Sequence, residues 1–299
     1  MVTAASSVET NHMEPRDWAL LVFASSVWGA SFLFTAIGLD AFSPGLVSAL
    51  RVWFGAMAVW SFPGARRSVD RADWPRMAAL GVTWMAFPLT LFPIAQQWID
   101  SSLAGMLNSA MPVATTIISV VVFGAVLVPK QVVGVAVGLV GVGLIGVPTA
   151  SSGGTTALGV GLVVLAVFSY GIAVNLAGPL QQRYGSTPVV ARALLLAAVL
   201  VAPAGLAGVP SSTFEWGALA ACAVLGAAGT GLAFVAAATL TGRVGPVRTS
   251  LVTYLIPVVA IVLGAIFRDE TLTGWAAAGT AVVLAGAFLA TRPAETASR

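Results

Sequence analysis

Apolar runs about as long as one membrane crossing alternate with short polar segments along the whole chain. They cover roughly 18–39, 44–62, 77–98, 102–123, 130–147, 158–180, 188–205, 216–240, 247–267 and 273–291. Runs of about 18–23 residues suit helices that span a bilayer, whereas barrel strands need only about 9–11 alternating residues. The pattern predicts an all-α polytopic membrane protein with ten transmembrane helices. Two runs open on Ser43-Pro44 and Thr187-Pro188, and proline fits a first helical turn because its missing N–H would be unpaired there. The small polar connector "TASSGGTTA" (149–157) divides the chain into halves of five runs each.

Composition fits this class and excludes others. Charged residues are 8% and hydrophobic ones 58% of 299 residues, against about 25% charged in a soluble domain. The net charge of +3 is small, and its basic residues lie between apolar runs. That distribution reads as membrane topology and not as a nucleic-acid surface. With the N-terminus inside, the inner segments hold Arg16, Arg66, Arg67, Arg71, Arg76, Lys130, Arg183, Arg243, Arg248, Arg292 and Arg299, and the outer ones only Arg268. Both termini are expected to be cytoplasmic, with the chain in the inner membrane. The N-terminal tail carries Glu9, Glu14, Arg16 and Asp17 without a basic stretch before a cleavage site, so it does not read as a signal peptide.

The two halves are related. A shift of 145 positions places Pro112 on Pro257, Leu127 on Leu272, Gly134 on Gly279, Gly141 on Gly286 and Leu144 on Leu289, and Leu80-Gly81 on Leu225-Gly226. Five spans is an odd number, so the second copy enters the membrane from the opposite side, as in many secondary transporters. Pro112 and Pro257 each free a backbone carbonyl inside a span, which is tolerated where protein or a water-filled cavity satisfies it. Both helices are expected to kink there. Asn108 and Thr253 occupy matching places one turn earlier and are expected to face the same region.

"SSVWGASFLFTAIGL", "SPGLVSALRVWFGAMAVW" and "TSLVTYLIPVVAIVLGAIFRDETLTGWAAAGTAVVLAGAFLA" resemble the first, second and closing helices of EamA-type members of the drug/metabolite transporter superfamily. The resemblance covers about residues 18–291. It implies two inverted five-helix repeats, here 18–148 and 158–291, between cytoplasmic tails 1–17 and 292–299. It also implies a central cavity between the halves, with the fifth and tenth helices peripheral. The implied activity is alternating-access movement of a small metabolite, often export of amino acids or drug-like solutes, without ATP hydrolysis. The chain departs from the family at one corner: the counterpart of Glu270 in the first half is Ala125, where the family often repeats an acid. Glu270 is either a coupling or gating residue or a marker of the membrane boundary, the second reading being favoured.

Candidate substrate contacts are the polar and aromatic residues well inside spans: Trp28, Arg51, Trp84, Asn108, Tyr170, Asn175, Thr253 and Tyr254. Arg51 either forks onto a substrate carboxylate or packs against helix-end carbonyls. Arg192 lies one turn into its span and can snorkel to the interface. Each amide taken singly, Gln96 and Gln97 included, reads more readily as glue between helices than as a ligand contact, while jointly they suit a small polar solute. Asp40, Asp100, Glu215, Asp269 and Glu270 lie at span ends or in loops, which argues against a central proton relay. Trp18, Trp60, Trp74, Trp98, Trp216 and Trp275 form an interfacial belt. Cys222 reads as a small buried hydrophobe, and His12 lacks the partners a metal site needs. "GVAVGLVGVGLIG" (134–146) reads as a close-packing helix face, since the chain has no P-loop pattern for a nucleotide. No cofactor, metal or nucleic acid is expected. The partners expected are a small-molecule substrate and the lipid bilayer. A lipid flippase, or a membrane-embedded enzyme using Asp70 and Asp73, is the competing reading; that acidic pair more simply offsets neighbouring arginines.

Overall fold

The computed structural model describes residues 13–150, 154–249 and 251–291. His12, Glu9, Arg292, Arg299, connector residues 151–153 and the side chain of Arg248 lie outside them. The helices are α1 (Pro15–Leu39), α2 (Pro44–Trp60), α3 (Trp74–Leu80), α4 (Phe87–Ala95), α5 (Ser101–Asn108), α6 (Met111–Val121), α7 (Pro129–Ala150), α8 (Gly154–Tyr184), α9 (Ser186–Gly208), α10 (Trp216–Val224), α11 (Ala233–Thr249), α12 (Leu251–Arg268) and α13 (Gly274–Thr291). Among the described residues there is no strand. In lipid a spanning segment must satisfy its own backbone, and an α-helix does so locally.

Eight helical segments are long and apolar enough to cross a membrane. Helices α5 and α6 together make a ninth, bent by 42° at the break between them, and α2 is an apolar helix of 17 residues. The start of α2 is set as its residues suggest: Ser43 Oγ accepts from Leu46 N at 3.3 Å and Pro44 fills the first turn. Helix α7 continues through Ala150, and α8 begins at Gly154.

Two π-helical segments interrupt otherwise α-helical spans, Gly81–Ala86 between α3 and α4, and Leu225–Leu232 between α10 and α11. They fall at the sequence positions that the 145-residue shift superposes. A π segment inserts an extra residue per turn, so it re-aims side chains and frees carbonyls.

The two prolines behave differently. Before Pro112 the helix breaks: Ser109 and Ala110 donate to Met106 and Leu107, three residues back, and the Ser109 hydroxyl also turns onto Met106 O. Before Pro257 stand Tyr254, Leu255 and Ile256, and α12 runs through the proline without a break.

Helix α1 packs on α12 and α11, α8 packs on α6 and α4, and α2 packs on α9. Helices α7 and α13 form a further close pair. There a Cβ on Gly141 would stand 2.5 Å from Val283 N, and one on Gly279 would stand 2.9 Å from Gly141 O, so backbone meets backbone. Only small residues allow this approach, which gives dispersion contact where no hydrophobic effect acts between helices. Inside, one apolar cluster joins α1, α5, α8 and α12, and a second joins α2, the first π segment and α9. Tyr170 packs against both clusters, at the seam where the central cavity lies.

Candidate functional site

The seam holds a cavity of about 210 Å³. Trp28, Arg51, Trp84, Asn108, Tyr170 and Thr253 all line it. Asn175 and Tyr254 are not among its lining residues. Asn175 bridges two helices instead: its Oδ1 accepts from Ser119 Oγ at 2.8 Å and its Nδ2 donates to Gly171 O at 2.9 Å.

The second π segment positions two of the lining residues. Its run "LGAAGTGL" (225–232) lets α1 and α2 come close, since a Cβ on Gly226 would stand 2.5 Å from Arg51 O and one on Gly229 would stand 2.7 Å from Ser31 Oγ. Trp28 Nε1 then donates to Gly229 O at 3.0 Å. Arg51 Nε donates to Thr230 Oγ1 at 2.9 Å, and that hydroxyl donates on to Leu225 O at 3.3 Å, five residues back. Arg51 is only 6% exposed and pairs with no carboxylate among the described residues. The first π segment places Trp84, whose ring meets Phe234 edge-on at 4.9 Å, while Trp28 meets the same ring at 5.3 Å. Phe92 stacks on Tyr170 at 6.1 Å. Asn108, beside the break between α5 and α6, has its Oδ1 buried with no hydrogen-bond partner. A buried amide oxygen left unpaired in a cavity is available to a ligand donor.

Phe92, Phe234 and Thr230 were not singled out by sequence. Phenylalanine is common in a chain with 14 of them, and threonine is unremarkable in a glycine run. The 145-residue shift held a usable signal: it places Gly229, beside Thr230, on Trp84.

The cavity extends along α8 and α11 to Gln181 and Ala238, toward the ends that carry Arg183 and Arg243. That end is tied by ion pairs. Arg243 binds Asp17, and also Glu14 at 2.7 Å. Asp73, 3% exposed, accepts from Arg183 at 2.7 Å, Tyr184 at 2.7 Å and Arg76 at 3.1 Å. Asp70 lies 3.4 Å from Arg183, so both acids of the enzyme reading are engaged with arginine. Arg192 reaches the loop after α2 at this end but stays buried there. It is 8% exposed and donates to Ala65 O at 2.6 Å and Arg67 O at 2.5 Å, because the turn after α2 leaves carbonyls unpaired.

At the opposite end Arg268 forks onto Asp40 at 2.6 and 3.0 Å. Glu270 does more than mark a boundary: it accepts from Ser101 N at 2.9 Å, Ser101 Oγ at 2.7 Å and Ser102 N at 2.8 Å. It thereby caps the start of α5, where the helix presents unpaired N–H groups and partial positive charge. Burial pushes the Glu270 carboxyl up, but the Ser102 and Ser101 hydrogen bonds outweigh this and hold it below the ordinary glutamate range. Burial and the Glu270 charge together raise neighbouring Asp100.

The EamA-like transporter family profile matches residues 17–147 and again 157–292. A probable terminal-alkyne amino-acid exporter of Streptantibioticus cattleyicolor is 28% identical over 279 residues, covering 92% of this chain and 93% of that protein. A probable amino-acid metabolite efflux pump of Salmonella typhimurium is 25% identical over 293 residues, covering 93% of this chain and 95% of that protein. A solved crystal structure matches with a TM-score of 0.66 at 21% identity, over 92% of this chain and 97% of that one, a likeness of fold alone. The chain belongs to the EamA-like transporter family, and it is an integral membrane transporter rather than an enzyme.

Proposed function

We propose that this protein exports a small metabolite, such as an amino acid or a drug-like solute, across the cytoplasmic membrane by alternating access, with both termini in the cytoplasm. The observation that carries the reading is convergence. Trp28, Arg51, Trp84 and Asn108 come from one half of the chain, Tyr170 and Thr253 from the other, and one cavity joins them. Its volume of about 210 Å³ lies below the roughly 300–1,000 Å³ usual for drug-sized ligands, which favours a small solute.

Ten transmembrane helices in two inverted repeats, 18–148 and 158–291, underlie the mechanism. Helix pairing supports this arrangement. Exchanging the halves turns the α1–α12 pair into α8–α6 and the α1–α11 pair into α8–α4, while α2–α9 and α7–α13 map onto themselves. The matched π segments support it as well. The cavity extends toward the end rich in arginine, which is the cytoplasmic end in this orientation. At the outer end Asp40–Arg268 ties α1 to α12, and Glu270–Ser102 ties the segment after α12 to α5. Export as the direction is supported by the names of the relatives.

Metabolite profiling of the medium tests the reading. Cells expressing the intact chain are compared with cells expressing Trp28→Ala at equal membrane level. A compound enriched outside only with the intact protein is the expected result. Equal profiles at equal protein level would overturn export.

A further inference from the structure

Resting on the reading of the central cavity as the transport site, we infer that its preferred solute is a net-anionic monocarboxylate with a flat apolar body, in preference to a zwitterion or a cation. The charge inventory carries this. Among the described residues one cation, Arg51, lines the cavity, and no Asp or Glu does. Arg51 is almost fully buried, and among the described residues its hydrogen-bond partner is the neutral hydroxyl of Thr230. A charge held inside a membrane protein without a counter-charge is costly, and pairing removes most of that cost. A monocarboxylate neutralises it. A zwitterion brings a carboxylate but leaves its ammonium with no acid to meet, and a cation adds like charge.

Geometry supports the same class. Thr230 holds Arg51 through Nε, which leaves both terminal nitrogens without a hydrogen-bond partner among the described residues, and these form the fork that matches a carboxylate. Thr230 is a positioning residue here, fixed by its own bond to Leu225 O. The rest of the wall is aromatic. Trp28 and Trp84 converge on Phe234, and Phe92 stacks on Tyr170, surfaces that take a flat ring. Asn108 Oδ1 adds one unpaired acceptor for an N–H or O–H on the ring. A neutral ring donor such as an indole or phenol group meets that need without a second charge.

The test is calorimetric titration of the full chain in lipid nanodiscs with four probes: 3-phenylpropionate, L-phenylalanine, 2-phenylethylamine and 3-phenylpropionamide. The anion is expected to bind about 10- to 100-fold tighter than its neutral amide, the range for a hydrogen bond to a charged group. Phenylalanine is expected between them, with the amine weakest. Arg51→Gln is expected to bring the anion level with the amide. Should Arg51→Gln lower the folded yield, Thr230→Val keeps the charge, and a fall in the anion-to-amide ratio is the expected result. If phenylalanine or the amine binds tightest and Trp84→Ala weakens every probe, the anion assignment is overturned and the cavity stays the site. If nothing binds, or neither Arg51→Gln nor Trp84→Ala alters binding, the anion assignment falls together with the site.

Discussion

The indole of Trp28 donates to the carbonyl of Gly229 at 3.0 Å, joining residues 201 positions apart. The carbonyl lies in a π-helical segment, the indole on a helix of the other half of the chain. This bond and the neighbouring Arg51–Thr230 bond tie the two halves at the cavity wall.

Trp28→Phe keeps an aromatic ring against Phe234 and deletes the donor. It leaves Gly229 O unpaired at a cost of about 1–3 kcal/mol. Thermal unfolding in detergent should show the loss, and transport by reconstituted protein should fall in the same variant. An unaltered melting temperature would mean that water replaces the indole.

Asn108 and Asn175 should part company. Asn108→Leu removes a buried amide whose oxygen has no partner, so stability should hold or rise while transport falls. Asn175→Ala deletes bonds to Ser119 and Gly171, so stability should drop by about 1–2 kcal/mol with substrate preference intact. Paired melting and uptake measurements check both, and a stability loss at Asn108 would reassign it to structure.

Glu270→Gln weakens the cap on α5 and should cost about 1 kcal/mol at neutral pH. The pH dependence has a definite sign. The folded carboxyl titrates below its ordinary value of 4.5, so the stabilisation is complete above that pH and is lost as pH falls through the depressed folded value. Asp100, raised in the fold, works oppositely and relieves strain on protonation. Melting curves between about pH 6 and pH 3 should be steeper for the intact chain than for Glu270→Gln. Parallel curves would remove Glu270 from the account.

Gly141→Leu drives a side chain into the backbone of α13 near Val283. Overpacking of this kind costs about 1–3 kcal/mol or more, with no give in a backbone neighbour. Folded yield after extraction should fall. Gly143→Leu, whose Cβ would meet nothing within 4 Å, should be tolerated.

Helix positions were legible because lipid asks one local question of each segment, whether it is apolar for a bilayer's width. The predicted run 18–39 became Pro15–Leu39, and 273–291 became Gly274–Thr291. The matched glycines and prolines were legible for the same reason, since backbone constraints are written in single residues. Six of the residues that line the cavity could be nominated, because polar and aromatic groups inside spans are few. Sequence could not separate Asn108 from Asn175, for both are amides within apolar helices, and only the partners that each meets across helices tell an unpaired group from an interhelical bridge. Nor did it show why α5 and α6 break while α12 continues, or that Arg192 would cap the turn after α2 and Glu270 would cap a helix 168 positions away. Those outcomes depend on which unpaired carbonyl or N–H the packing brings near, and that is settled only when the helices are assembled.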